Sequence, residues 1–247
     1  MMINRIKILI KKIRVKFFPR LMKKNDFNDI LKSQGIEIGD GTVFYDPNSM
    51  CIDRSLPFLL SIGKNCKITR GFSVLVHDYS VSVLIGERHK VLETTGKVTI
   101  GDNVFIGVNA TVLPKTSIGN NVIIGAGSVV KGVIPSNVVI AGNPAKIICS
   151  IDEYAKKIEH HFLENAFLFY LYFKKKHGRE PAEREMGHFF PLWSNSSVDE
   201  LKERGVNTMF NGVDKQALEI AVKTSIKVFD DYNSFLIEAA SYEKTRC

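Results

Sequence analysis

The sequence predicts a mostly β chain, a solenoid of short parallel strands preceded by one amphipathic helix and followed by an α-helical region. Three observations predict it. From Ile100 an aliphatic residue falls at every sixth position, through Ile106, Val112, Ile118, Ile124 and Val130. Gly follows four of the first five, and a small or β-branched residue stands four places after each: Val104, Ala110, Thr116, Val122, Ser128. A period of six belongs to neither a helix nor an ordinary strand. It fits a coil in which each hexad is one short strand plus a corner, so that three hexads close a triangular turn. The aliphatic and small positions then point inward. Gly falls at or near the corner, where a positive φ or a close backbone approach excludes a Cβ.

The chain opens with a basic arm over residues 1–35. Residues 1–24 hold nine Lys or Arg and no acid, so with +8 overall the rest of the chain is near −1. The pI of 9.2 describes this arm and gives no sign of a nucleic-acid groove on the body. Ile3, Ile6, Ile10, Ile13 and Phe17 form one helical stripe with cations on the other faces, and Pro19 ends the helix. Charges recur too often for a bilayer span, and no small-residue cleavage site marks a signal peptide. Two uses fit the stripe equally. It can lie on an anionic membrane surface, or dock on its own body or a neighbouring subunit.

The solenoid occupies residues 36–149. Its phase begins at Ile38 and runs through Phe44, Met50, Leu56, Ile62, Ile68 and Val74, a single register from residue 38 to residue 79. Only Ile38 and Ile62 are followed by Gly there, so these coils are rougher. The interval from Val74 to Ile100 is not a multiple of six, and an insertion must break the phase. It runs from about Asp78 to Thr95, a loop over 78–96 that leaves the solenoid from a corner with His77 at its root. After Val130 the pattern fades through Lys131 to Pro135 and closes with Ala141 to Lys146.

Residues 150–247 read as helices. Ser150 and Glu153 form a capping box opening a helix to about Lys176, stopped by Gly178 and Pro181. Ser197 and Glu200 open a second, ending near Gly205; 214–228 and 234–244 suggest two more. The four cysteines (Cys51, Cys66, Cys149, Cys247) are scattered and indicate neither a zinc site nor a disulfide framework.

His77 is the residue equipped for catalysis. Removing a proton from a hydroxyl or amine needs a base titrating near neutrality, and imidazole does so unperturbed. Asp78 is a poor orienter for it, because adjacent strand residues point to opposite faces. A carboxylate on the neighbouring coil, such as Asp53, serves equally well, and spacing does not choose.

The block from Val98 to Ile147, VTIGDNVFIGVNATVLPKTSIGNNVIIGAGSVVKGVIPSNVVIAGNPAKI, resembles the hexapeptide-repeat acyltransferases of the left-handed β-helix class. VLVHDYSVSVL, from Val74 to Leu84, looks like the segment carrying their catalytic histidine. The tail, with FKKKHGREPAEREMGHF and YNSFLIEAA, is similar to that of a branch linked to surface-polysaccharide modification. The resemblance implies left-handed coils, where physics alone favours right-handed crossovers. It also implies a homotrimer, acetyl-CoA as co-substrate in a cleft between chains, no metal, and His77 as catalytic base. Asn109, Ala110, Gly125, Ala126 and Ser128 match its cofactor-cleft positions, with a backbone N–H near Gly125 and Ala126 as oxyanion donor. Phe105 stands where many relatives have Trp. Pro144 and Lys146 match the segment near the adenine and phosphates. Two places depart: Pro114-Lys115-Thr116-Ser117 replaces Pro-Gly-Val-Thr, and in Val129 to Val133 the phosphate-contact lysine moves one residue earlier, to Lys131.

The function this implies is acetyl-CoA-dependent O-acetylation of a sugar hydroxyl in a surface polysaccharide or its precursor, in the cytoplasm or peripherally at the inner face of the membrane. The alternatives are N-acetylation of an amino sugar and a non-catalytic trimeric scaffold at a membrane surface. A zinc solenoid would need three histidines, and only His77 and His89 fall in or beside the coils.

Overall fold

Ile100 lies between Ile62 and Ile118 of the neighbouring coils, Ile106 between Ile68 and Ile124, and Val112 between Val74 and Val130. From Ile100 to Val130 each step is the three hexads read from the sequence, and the last step, Ile118 to Ile134 and Ile124 to Ile140, is two residues shorter. The computed structural model describes residues 2–17, 26–206, 213, 215–225 and 227–246. The helix stop at Pro19, the cations Arg20, Lys23 and Lys24, a helix start at Asp214, and Cys247 lie outside these. The chain divides into two compact units, Met1–Tyr154 and Ala155–Cys247.

Three parallel sheets form the walls of the first unit. Glu37–Ile38, Leu60–Ile62, Val98–Ile100, Ser117–Ile118 and Val133–Ile134 make the first. Val43–Phe44, Lys67–Ile68, Phe105–Ile106, Ile123–Ile124 and Val138–Gly142 make the second, with Ala145–Ser150 added antiparallel at its edge. Cys51–Ile52, Ser73–Val74, Thr111–Val112 and Val129–Val130 make the third. The stacked aliphatics are almost wholly buried, each contributing roughly 1.5–3 kcal/mol over an exposed position. The small positions lie inside as well. Thr116 and Ser128 fit there because their hydroxyls donate back to Leu113 and Gly125 carbonyls, at 2.6 and 2.7 Å.

At the corner from first to second sheet positive φ falls on asparagine in every coil after the first, and the glycines that follow the aliphatics answer a different need. Asn65, Asn103, Asn121 and Asn137 turn the corner from first to second sheet at φ 54–63°, a left-handed region that asparagine tolerates. Asn103 Nδ2 donates to Asn121 Oδ1, and Asn121 Nδ2 to Asn137 Oδ1, both at 2.8 Å. What excludes a side chain at Gly63 and Gly101 is the next coil, whose backbone a Cβ would meet at 2.5 and 2.6 Å.

The first coil does not keep the single register expected between residues 38 and 79. Ile38 stacks on Ile62 and Phe44 on Ile68, a step of four hexads where the later coils take three. The third inward position is Ile52, beneath Val74, where the hexad count gives Met50. Met50 and Leu56 are only partly buried. Two proline-led 3-10 turns, Pro47–Ser49 and Pro57–Leu59, lengthen the corners. The intervals from Phe44 to Ile52 and from Ile52 to Ile62 both exceed one hexad, the second by more than the first. Their combined surplus equals one hexad, so the phase reappears downstream as if unbroken.

Helix α1 (Met2–Phe17) and helix α2 (Asp26–Ser33) precede the coils. The sequence reading missed α2, which closes the start of the prism. Phe27 meets Phe44 edge-on at 5.0 Å, and Asn28 Nδ2 donates to the Thr42 carbonyl at 2.8 Å. Helix α3 (Ser82–Arg88) lies in the insertion, whose ends His77 and Thr95 form an antiparallel bridge.

Helix α4 (Ile151–His177) begins at the expected capping box, with Ser150 N–H donating to Glu153 Oε2 at 2.8 Å. In the second unit follow α5 (Val198–Glu203), capped by Ser197 and Glu200, α6 (Lys215–Thr224) and α7 (Tyr232–Arg246). Phe167, Tyr170, Trp193, Leu201 and Phe235 form its separate core. No helix among the described residues is long and apolar enough to cross a membrane.

Candidate active site

Val74 and Val76 point into the prism and are fully buried, so alternation turns His77 outward at the corner from third to first sheet. Backbone bonds from Asp78 N–H to Thr94 and from Gly96 N–H to Val76, at 3.0 and 2.8 Å, fix the root of the insertion. The His77 side chain is one-third exposed. Asp78 faces away and is occupied elsewhere, accepting from Ser80 N–H at 2.8 Å to cap the turn Tyr79–Val81. His89 ends α3 in a left-handed conformation and is exposed.

Asp53 is the orienting group. Its Oδ2 lies 2.6 Å from His77 Nδ1 and accepts from Val76 N–H at 3.0 Å. Its Oδ1 accepts from the Ser55 hydroxyl at 2.6 Å and from Ser55 N–H at 3.0 Å. Ser55 Oγ is itself 3.1 Å from His77 Nδ1. Burial alone would raise the pKa of this nearly enclosed carboxyl. The bonds from Ser55, Val76 and His77 outweigh that and hold it well below the usual carboxylate range. The carboxylate is therefore ionised and acceptor-only. It accepts a hydrogen bond from Nδ1–H and leaves the Nε2 lone pair of His77 as the acceptor, the arrangement a general base requires.

Asp53 reaches His77 because the lengthened first coil brings Ile52 under Val74 and so Asp53 N–H under the Val74 carbonyl, at 3.0 Å. Ser55 went unseen in the sequence. Its signal is the local Asp-x-Ser turn, which is common in loops and distinctive only beside a histidine.

The positions matched to a cofactor fall on five parts of the prism. Phe105 is 41% exposed on the second face, between Lys67 and Ile123, and lines a cavity of about 430 Å³ with Asn103 and Asn121. Asn109, Gly125 and Ala126 turn the corner from second to third sheet. Asn109 has φ 59° and, like Ala126, is exposed. Gly125 N–H is used by the Ile140 carbonyl at 2.8 Å, so of the two proposed oxyanion donors Ala126 N–H is the one without a partner among the described residues. Ala110 and Ser128 are enclosed in the prism, so their side chains offer no cleft surface. Pro144 and Lys146 are exposed at the terminal hairpin, and Lys131 at the same corner as His77. Within one chain, His77 and the Asn109 and Ala126 corner occupy opposite edges of the third face. An aromatic face, an open N–H and exposed lysines are groups that suit a thioester on a long phosphorylated arm. Among the described residues no three His, Cys, Asp or Glu side chains cluster as metal ligands.

Residues 97–132 match the sequence profile described as bacterial transferase hexapeptide (six repeats). Protein CapG of Staphylococcus aureus is 41% identical over 155 residues, covering 61% of this chain and 84% of CapG. The putative lipopolysaccharide biosynthesis O-acetyl transferase WbbJ of Escherichia coli (strain K12) is 59% identical over 59 residues, 24% of this chain and 30% of WbbJ. Among solved structures, a maltose O-acetyltransferase from Clostridium difficile 630 is similar over 60% of this chain and 88% of its own, with 24% identity and a TM-score of 0.39. The chain thus spans most of the first relative and under a third of the second.

Proposed function

Because the chain belongs to the hexapeptide-repeat bacterial transferases and carries their left-handed β-helix, we propose that it moves an acetyl group from acetyl-CoA to a sugar hydroxyl of a surface polysaccharide or its precursor. The observation that carries this reading is the Asp53–His77 pair, with Nδ1 held by the carboxylate at 2.6 Å and Nε2 left open. Similarity to WbbJ, named for lipopolysaccharide biosynthesis, supports the hydroxyl acceptor.

Each part of the site then has one task. His77 Nε2 takes the proton of the acceptor hydroxyl and later delivers it to the departing sulfur. Asp53 holds the ring in the required tautomer and stabilises it while it is charged. Ala126 N–H faces the developing oxyanion at no reorganisation cost. Phe105 would hold the arm, and Lys131 and Lys146 would hold the phosphates. Bound acetyl-CoA supplies the electrophilic carbonyl and the thiolate leaving group. A homotrimer is part of the proposal, since only a neighbour's second-to-third corner can complete the site at His77. With acetyl-CoA as donor, the reaction is placed in the cytoplasm.

The test is thiol release from acetyl-CoA against a panel of polysaccharides, sugars and amino sugars. Release with hydroxyl acceptors, and an ester in the product, is the expected result. Turnover confined to amino sugars would replace the reading with N-acetylation. Absence of acetyl-CoA binding would leave a scaffold.

A further inference from the structure

Helix α1 has two opposed faces. Val15 is buried and Ile8 half-buried, one turn either side of Lys11, and this face packs on the body. The mount is polar as well as apolar: Lys11 pairs with Asp29, Arg14 Nη1 donates to Asp26 Oδ2 at 2.7 Å, and Asn48 Nδ2 donates to the Val15 carbonyl at 2.8 Å. The opposite face carries Ile6, Leu9, Ile10, Ile13 and Phe17 at helical spacing, all 44–64% exposed. Burial against the body was one of the two uses open to the stripe, and the structure assigns that contact to the other side of the helix. The Ile3 side chain lies outside the described residues.

The cations decide what fits the exposed stripe. Arg5, Lys12 and Lys16 run along one flank and Lys7 along the other, all exposed. No acid lies anywhere in Met2–Phe17. Two such stripes meeting face to face would bring rows of like charge together. An anionic lipid surface instead takes the apolar side chains below its headgroups and neutralises the cations at their level.

We infer that α1 is a bilayer-docking element, with Ile6, Leu9, Ile10, Ile13 and Phe17 inserted and Arg5, Lys7, Lys12 and Lys16 among anionic headgroups. Because α1 is clamped to α2 and to the turn Pro47–Ser49, the membrane holds the whole prism in one orientation. The inference stands apart from the acetyl-transfer reading and is measured without turnover.

The experiment sediments the full-length protein with vesicles of phosphatidylcholine, alone or mixed with phosphatidylglycerol. Binding is expected to the mixed vesicles and to fall steeply with salt. Ile10→Glu with Ile13→Glu should lower binding at least about tenfold, as should Arg5→Gln, Lys12→Gln and Lys16→Gln together. These positions are exposed, so an unchanged melting temperature is expected and shows that the variants are folded. No binding by the wild type, or equal binding by the stripe variant, overturns the inference. So does a drop in assembly mass by light scattering in the stripe variant, which would assign the face to a second copy of the chain.

Discussion

The coils after the insertion and the coils before it use the same inward rule and differ in regularity. From Val98 to Val130 every strand is one hexad from the next, and the inward aliphatics stack three hexads apart. Before the insertion the same stack survives, but four hexads apart, with two proline-led turns bulging from the corners. The polar pair lies in the irregular part. Asp53 and Ser55 occupy the more lengthened of the two corners, and His77 is at the root of the insertion. Regular coils hold the prism together. Departures from the repeat are where a solenoid finds room for a buried carboxylate and a partly open imidazole.

The sharpest way to break this comparison is at His77. His77→Gln keeps size and hydrogen bonding but cannot take the proton, and positioned general bases contribute roughly 10² to 10⁴ in rate. The expected loss in kcat is at least about a hundredfold, or about 2.7 kcal/mol of barrier. Acetyl-CoA binding, read by calorimetry, should stay within a few-fold. Near-normal turnover would make His77 structural and turn the search for a base to His89.

In the regular part the expected effect is on stability. Ile106→Ala empties a fully buried position between Ile68 and Ile124 and should cost about 2–5 kcal/mol in a urea titration. Turnover per folded molecule should not change. A large fall in kcat there, with stability intact, would remove the division of labour between the two regions.

Asp53→Asn sharpens the comparison with a smaller effect, a fall in kcat of roughly ten- to a hundredfold, from loss of a fixed tautomer and of charge opposite the protonated ring. Its second readout is pH. The folded carboxyl is held below its unfolded value, so its contribution to stability is present above about pH 4. That contribution is lost as pH falls through the range beneath. Between about pH 4 and 3 the urea midpoint of the wild type should drop, and that of Asp53→Asn should drop less. Parallel curves would show that the bonds to Ser55 and Val76 do not favour the ionised form.

How far the sequence foretold all this depended on whether a feature was periodic. Ile100 to Val130 was legible because stacking repeats one demand at every third hexad. The insertion was legible because it breaks the phase. The four-hexad first coil was not, since its surplus equals one hexad and leaves Ile62 where an unbroken count puts it. That same surplus hid the choice between Asp53 and Asp78, which depends on what lies beneath Val74. Helix α2 escaped because Asp26–Ser33 is barely two turns long. Ser55 escaped because a serine two residues after an aspartate is ordinary in any turn.

Helix α2 also bears on whether one prism can stack end to end on another. A parallel coil ends in rows of backbone donors and acceptors that match the other end of an identical prism, which invites endless head-to-tail growth. At the starting end, Phe27 lies against Phe44 and Asn28 takes the Thr42 carbonyl. One short helix, unrelated to the repeat, thereby covers part of the edge on which a second prism would stack.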